Sequence, residues 1–145
     1  MAVSVKSITL WRSEVQNRPG MLAAALGPLA EAGADLRVVM AYRFPADESR
    51  GAVELYPVSG KRAQTAARRA GLSESGIPTL LVEGDDRPGI GAAMARSMAE
   101  AGINLAFFVA QVIRRRYAAV IGFDSPADAK KAAPLLRKAK PASRK

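Results

Sequence analysis

Apolar positions along the 145-residue chain change their spacing in an ordered way, and the order recurs. Two short β-prone runs, "SITLWRSEV" and "IPTLLVEG", each end in polar residues and read as strands. A stretch at helical spacing follows each: Met21, Ala25, Leu29 and Ala32 in the first, Ile90, Met94, Met98 and Ala101 in the second. Residues three and four apart share a helix face, so both stretches predict helices with one buried stripe. Gly33 and Gly102 follow where a helix needs a left-handed cap. The spacing then drops to two. In "LRVVMAYRF", Leu36, Val38, Met40, Tyr42 and Phe44 share one face and Arg37 and Arg43 the other, a strand with one wetter side. Its counterpart "LAFFVAQVI" is apolar on both faces. Turns at "PADESRG" and around Arg115 lead to third strands, "AVELYPV" and "YAAVIGF". A helix closes each half, over about residues 60–70 and 126–137, the latter with Ser125 as cap and Pro126 in its first turn.

The two halves also repeat residue by residue. "NRPGMLAAALGPLAEAGADL" (Asn17 to Leu36) and "DRPGIGAAMARSMAEAGINL" (Asp86 to Leu105) share ten of twenty residues at an offset of 69. Repetition at a fixed spacing means one structural unit used twice. Each unit reads strand-helix-strand-strand-helix, which predicts an α+β fold of two ferredoxin-like βαββαβ repeats, each with both helices on one face of an antiparallel sheet. "IPTLLVEG" is the fourth strand of the first unit, the first of the second, or shared at the junction, and the second half has no strand after its last helix. The expected divisions are residues 1–72, residues 73–138 and a frayed basic tail, 139–145. Units of this size are marginal alone and are expected to pack together by sheet edges or stacked sheets. Pro28 predicts a bend in the first helix, and Pro134 predicts an early end to the last.

The repeated loop carries the candidate chemistry. Asn17 and Asp86 are placed to cap a helix, with Pro19 or Pro88 in the first turn. A helix start has unpaired N–H groups and partial positive charge, which suits a carboxylate or phosphate. Gly20 and Gly89 let a ligand approach the backbone, and Asn17 or Asp86 offers an acceptor to an ammonium group. Together these complement a free amino acid. The same residues also make a good helix start with no ligand, and Arg18 and Arg87 are then solvated surface residues.

The "RPG" loop followed by a helix ending in "EAGINL" resembles the ACT domain, a small-molecule regulatory module that often binds amino acids. The resemblance spans nearly the whole chain as two tandem copies. "DRPGIGAAMARSMAEAGINLAFF" is the closer match; the first copy has Asn17 for the acid and Asp35 where the second has Asn104. In that family ligands sit at interfaces between domains, on the loop before the first helix and the start of the following strand. The resemblance therefore implies ligand-binding roles for Asp86, Arg87, Pro88, Gly89, Ile90, Gly91 and Asn104, and in the first copy for Asn17, Arg18, Pro19, Gly20, Met21, Leu22 and Asp35. It implies a non-catalytic protein without cofactor or metal, a homodimer, and output through self-association or a regulated enzyme partner. The apolar residues Ile90, Phe107 and Phe108 suggest an aliphatic or aromatic amino acid.

Composition narrows the alternatives. There is no Cys and no His, which excludes a thiol nucleophile, a disulfide framework, a thiolate zinc site and any imidazole-based triad. Asp85 and Asp86 are sequence neighbours and form no convergent acid–base pair. No run approaches the roughly 18 apolar residues of a membrane helix. "MAVSVKSITLW" lacks the pattern of a secretory signal, and the cytoplasm is the expected compartment. Net charge is +9, and the last nine residues, "RKAKPASRK", hold five basic residues and no acid. That tail, with the sheet, raises an alternative nucleic-acid reading: "RGAVELY" faintly echoes an RNA-recognition strand, but it lacks the aromatics that stack bases. A dimerisation module without ligand is the other alternative.

Overall fold

The computed structural model describes residues 3–142. Its elements in chain order are β1 (Ser4–Ile8), β2 (Trp11–Gln16), α1 (Met21–Glu31), β3 (Val38–Phe44), β4 (Asp47–Tyr56), α2 (Lys61–Arg69), β5 (Ser73–Glu74), β6 (Thr79–Asp85), α3 (Ile90–Glu100), β7 (Leu105–Ile113), β8 (Arg116–Phe123) and α4 (Pro126–Lys138). The strands form two four-stranded antiparallel sheets, ordered β3-β4-β2-β5 and β1-β6-β8-β7. The fold is α+β, two ferredoxin-like units.

One unit runs from Thr9 to Gly76. Ala25 and Leu29 of α1 and Ala63 and Ala67 of α2 bury against Trp11, Val53 and Leu55 on one sheet face. The other unit begins at Ile77 and also takes in the segment that ends at Ile8. Met94 and Met98 of α3 and Ala129, Ala132 and Leu136 of α4 pack there on Val82, Ala119, Ile121 and Phe123. The helical stripes expected from spacing are the buried ones.

The division differs from the expected one. "SITLWRSEV" is two strands, interrupted at Thr9 and Leu10 and belonging to different sheets. The second half has no strand after α4, so β6 would be an open edge. β1 covers it, pairing Val5 with Val82 and placing Val3 and Val5 against the core. The first unit closes its own sheet with β5, which pairs with Trp11 and Arg12, and "IPTLLVEG" supplies β6, the first strand of the second repeat.

Three smaller expectations are corrected. Pro134 does not end α4, which continues to Lys138; Pro134 and Lys130 are both exposed, so the carbonyl without a helical partner lies on the watery side. The tail does not begin at residue 139: Ala139 is buried in the core, and Pro141 lies beside Gly89. Residues 143–145 lie outside the described residues. Asn17 and Asp86 are not helix caps. The cap residues are Gly20 and Gly89, at φ 90° and 88°, and no side chain bonds to either helix start. The physical reason is the Arg-Pro-Gly sequence, which closes a turn: Met21 N–H reaches the Arg18 carbonyl and Ile90 N–H the Arg87 carbonyl. Pro at the second position and Gly with positive φ at the third make a type II turn.

At the other end of α1 the expectation holds. Gly33 N–H bonds to the Ala30 carbonyl and Ala34 N–H to that of Leu29; Gly102 and Ile103 repeat the pattern on Ala99 and Met98. Both helices end in Schellman motifs.

Candidate ligand pocket

The turn after β2 leaves an open depression of about 380 Å³ at the start of α1. Asn17, Arg18, Met21 and Leu22 line it from the loop and first helical turn, and Ala41, Arg43 and Gly51 from the neighbouring strands. Pro19 and Gly20 form the turn that leads into α1 and are not among its lining residues. The backbone fixes the loop: Asn17 N–H bonds to the Ser49 carbonyl at 2.8 Å, and its side-chain amide donates to the Glu48 carbonyl at 2.8 Å. Arg18 Nε lies 3.3 Å from Met21 Sδ. No acidic residue stands in the first turn of α1.

Charges on the adjacent sheet face are paired among themselves. Arg12 and Arg50 hold the two oxygens of Glu14 at 3.0 and 2.8 Å, and the Arg12 hydrogen bond keeps that carboxyl below its ordinary pKa. Glu54 is 1 % exposed; Tyr42 Oη donates to it at 2.9 Å, and Arg12 Nε stands 3.9 Å away. Burial first, and then this bond, push the Tyr42 hydroxyl above its ordinary pKa. Arg18 and Arg43 remain as cations of the pocket with no ion-pair partner among the described residues.

The second repeat builds the same place differently. Strand register pairs Val15 with Gly51 in the first repeat and Gly84 with Tyr117 in the second; Arg43 and Val112 are the third members of the two rows. Tyr117 thus holds the register position of Gly51, where any side chain would run into the Tyr42 carbonyl. Its ring lies across Gly84, where a side-chain carbon would come within 2.8 Å of the hydroxyl oxygen. Tyr117 is 4 % exposed, its hydroxyl has no hydrogen-bond partner, and burial raises its pKa. Pro141 lies against Gly89 on the outside of the same loop. The ring of Tyr117 thus lies over Gly84, the strand position that Val15 holds in the first repeat.

Asp86, Arg87, Pro88, Gly89, Ile90 and Gly91 do form the matching turn and helix start, with Asp86 N–H on the Arg115 carbonyl at 2.7 Å. Asp35 and Asn104 do not join either loop. Each lies beyond the far end of an 11-residue helix, about 16 Å along its axis. Asp35 lines a separate depression with Arg37 and Lys61, and Asn104 donates to Asp124 at 3.3 Å. Nor do Ile90, Phe107 and Phe108 make one apolar lining. Phe108 packs into the helix-side core, Phe107 lies over Gly122 on the other side of the sheet, and Ile90 is at the far end of α3. Sequence reasoning missed Arg43 and Gly51 in the pocket and the placement of Tyr117 over Gly84. The alternating pattern around Arg43 was the one available signal.

Among the described residues no cluster of His, Cys, Asp or Glu suits a metal, and no helix is long and apolar enough to cross a membrane. No family model and no curated protein matches the sequence. Solved structures do match its fold. The ligand-free regulatory subunit of aspartate kinase from Thermus thermophilus superposes with a TM-score of 0.65 at 16 % identity, over 96 % of this chain and 97 % of that one. The two units of this chain share the fold of that subunit. A protein from Bacteroides thetaiotaomicron gives a TM-score of 0.74 at 12 % identity, over 92 % of this chain and 98 % of its own. Aspartate kinase from Clostridium acetobutylicum, described as an allosteric enzyme, matches at 0.61 and 12 % identity; 94 % of this chain covers 33 % of it.

Proposed function

We propose that this chain is a non-catalytic regulatory protein that binds a small amino-acid-type metabolite at the start of α1. The observation that carries this is the open pocket there, with two arginines that have no ion-pair partner among the described residues, at a helix start with no side-chain cap, and an apolar contribution from Met21 and Leu22. Arginine forks and free helix N–H groups suit a carboxylate, and Met21 and Leu22 suit a short apolar side chain. The fold likeness to regulatory subunits and domains of aspartate kinase supports the reading. Output then passes through a homodimer or a partner enzyme in the cytoplasm, because a ligand shifts an assembly only by binding its states unequally. The nucleic-acid alternative gains nothing from the sheet face, where Glu14 and Glu54 accompany the arginines.

A thermal-shift screen of the full chain against the amino acids and their carboxylate analogues tests this. A ligand at 100 times its Kd adds about 2.7 kcal/mol, or roughly 5–10 °C at this size. The shift is expected to vanish in Arg18→Ala/Arg43→Ala. Absence of any shift would leave the ligand-free dimerisation module as the better account.

A further inference from the structure

We propose that the groove between α1 and α2 docks an acidic amphipathic helix of a partner protein. This rests on the regulatory reading above, which calls for a partner, and it assigns the surface that meets one. Its test uses no small ligand, so the two readings can fail separately.

The groove encloses about 690 Å³. Its floor is apolar and made of small residues: Pro28 and Ala32 at the end of α1 and Ala66 of α2 are half-buried there. Its rim is exposed and basic. Lys61, Thr65 and Arg69 follow one another at four-residue spacing and form one row along α2. The two cations of that row are separated by two helical turns, about 12 Å. Arg62 stands beside them and donates to the Glu31 carbonyl at 3.1 Å. Lys61, Arg62 and Arg69 have no ion-pair partner among the described residues, and Glu31 is the one acid of the lining. The fourth cation of α2, Arg68, is taken up by the face of the Trp11 ring, 5.4 Å away. The adjoining depression adds Arg37 and Asp35, which offset each other.

The α1 side adds apolar surface. From Met21 to Ala30 this helix has no polar side chain, and a helix apolar on every side is ordinarily a buried one. Ala23, Ala24, Gly27 and Ala30 are nevertheless exposed. The second repeat treats the same face differently: the residue aligned with Gly27 is Arg96, which is exposed and charged. The first unit therefore sets a flat apolar helix face and a small-residue groove beside a row of cations. Small residues let a second helix come close, and cations two turns apart match carboxylates two turns apart on it. A nucleic-acid strand fits less well, because no aromatic lines the groove and Glu31 opposes a phosphate chain.

Fluorescence anisotropy of the full chain with a labelled peptide tests the proposal. The peptide has about 18 residues, long enough to form helix, with Leu at helical spacing on one face and Glu and Ala on the others. It is expected to bind about ten-fold or more tightly than a scrambled peptide of the same composition, which keeps the charge and loses the face. Lys61→Glu/Arg69→Glu, checked for native circular dichroism, should weaken binding about ten-fold or more. Lys130→Glu/Lys138→Glu makes the same charge change at the same spacing on exposed positions of α4 and should leave binding within about two-fold. Equal binding of the scrambled peptide, equal loss in both double variants, tighter binding of a single-stranded oligonucleotide of the same charge, or no binding of the amphipathic peptide overturns the proposal. None of these outcomes alters what the thermal-shift screen says of the small ligand.

Discussion

Replacing Tyr117 with Phe should make the protein more stable. The side chain is 4 % exposed in the core formed by β6, β8, α3 and α4, and its hydroxyl has no hydrogen-bond partner. Folding therefore takes that hydroxyl out of water without return. An unsatisfied buried polar group costs about 1–3 kcal/mol, and Phe keeps the ring that fills the space over Gly84. A gain near 1 kcal/mol, at an m-value of about 1–3 kcal/mol/M, moves the urea midpoint upward by roughly 0.3–1 M. Far-ultraviolet circular dichroism is the suitable probe, because Trp11, the single tryptophan, lies in the unit from Thr9 to Gly76 and reports on that unit. A midpoint that falls would refute the reasoning, since it would mean that water or another group satisfies the hydroxyl.

Other consequences follow from the same structure. Pro134→Ala should restore a helical hydrogen bond at an exposed position of α4 and stabilise by about 1–3 kcal/mol; an unchanged thermal midpoint would contradict this. Gly102→Ala should destabilise by about 1–2 kcal/mol in urea unfolding. Nothing lies within 4 Å of the added carbon, so the loss comes from φ 71° alone, and Gly102→Asn should be milder. Tyr42 and Tyr117 should ionise above the ordinary tyrosine value of about 10, as read from absorbance at 295 nm. Because their folded pKa values are raised, the stability they contribute is complete below that value and declines as pH rises through the folded values. Ionisation of both at the ordinary value would contradict the burial.

The sequence carried much of this fold and less of its site. Period-3.6 stripes placed Leu29, Met94 and Met98 in the cores, and Gly33 and Gly102 marked the helix ends, because these signals are local. The destination of β1 was not readable. Alternation in "SVKSI" says that a strand forms, but not which of two distant edges it covers. The loop misled in another way: Asn17 looks like a cap, yet the Pro-Gly turn postpones the helix to Met21. The correspondence of Gly51 with Tyr117 was hidden by the hairpins. The β7–β8 connection is shorter, so a constant offset of 69 sets Gly51 against Val120, whereas strand register sets it against Tyr117. Arg43 belongs to the pocket only once β3 pairs with β4 and brings it beside Gly51.

The most direct test of the account is a backbone-amide NMR titration of the full chain with the amino acid or carboxylate analogue that most raises its thermal midpoint. Shifts concentrated in residues 16–22, 41–43 and 51–53, with residues 84–91 and Tyr117 unmoved, are the predicted result. Shifts centred on residues 84–91 would place the ligand at the start of α3 and contradict the account.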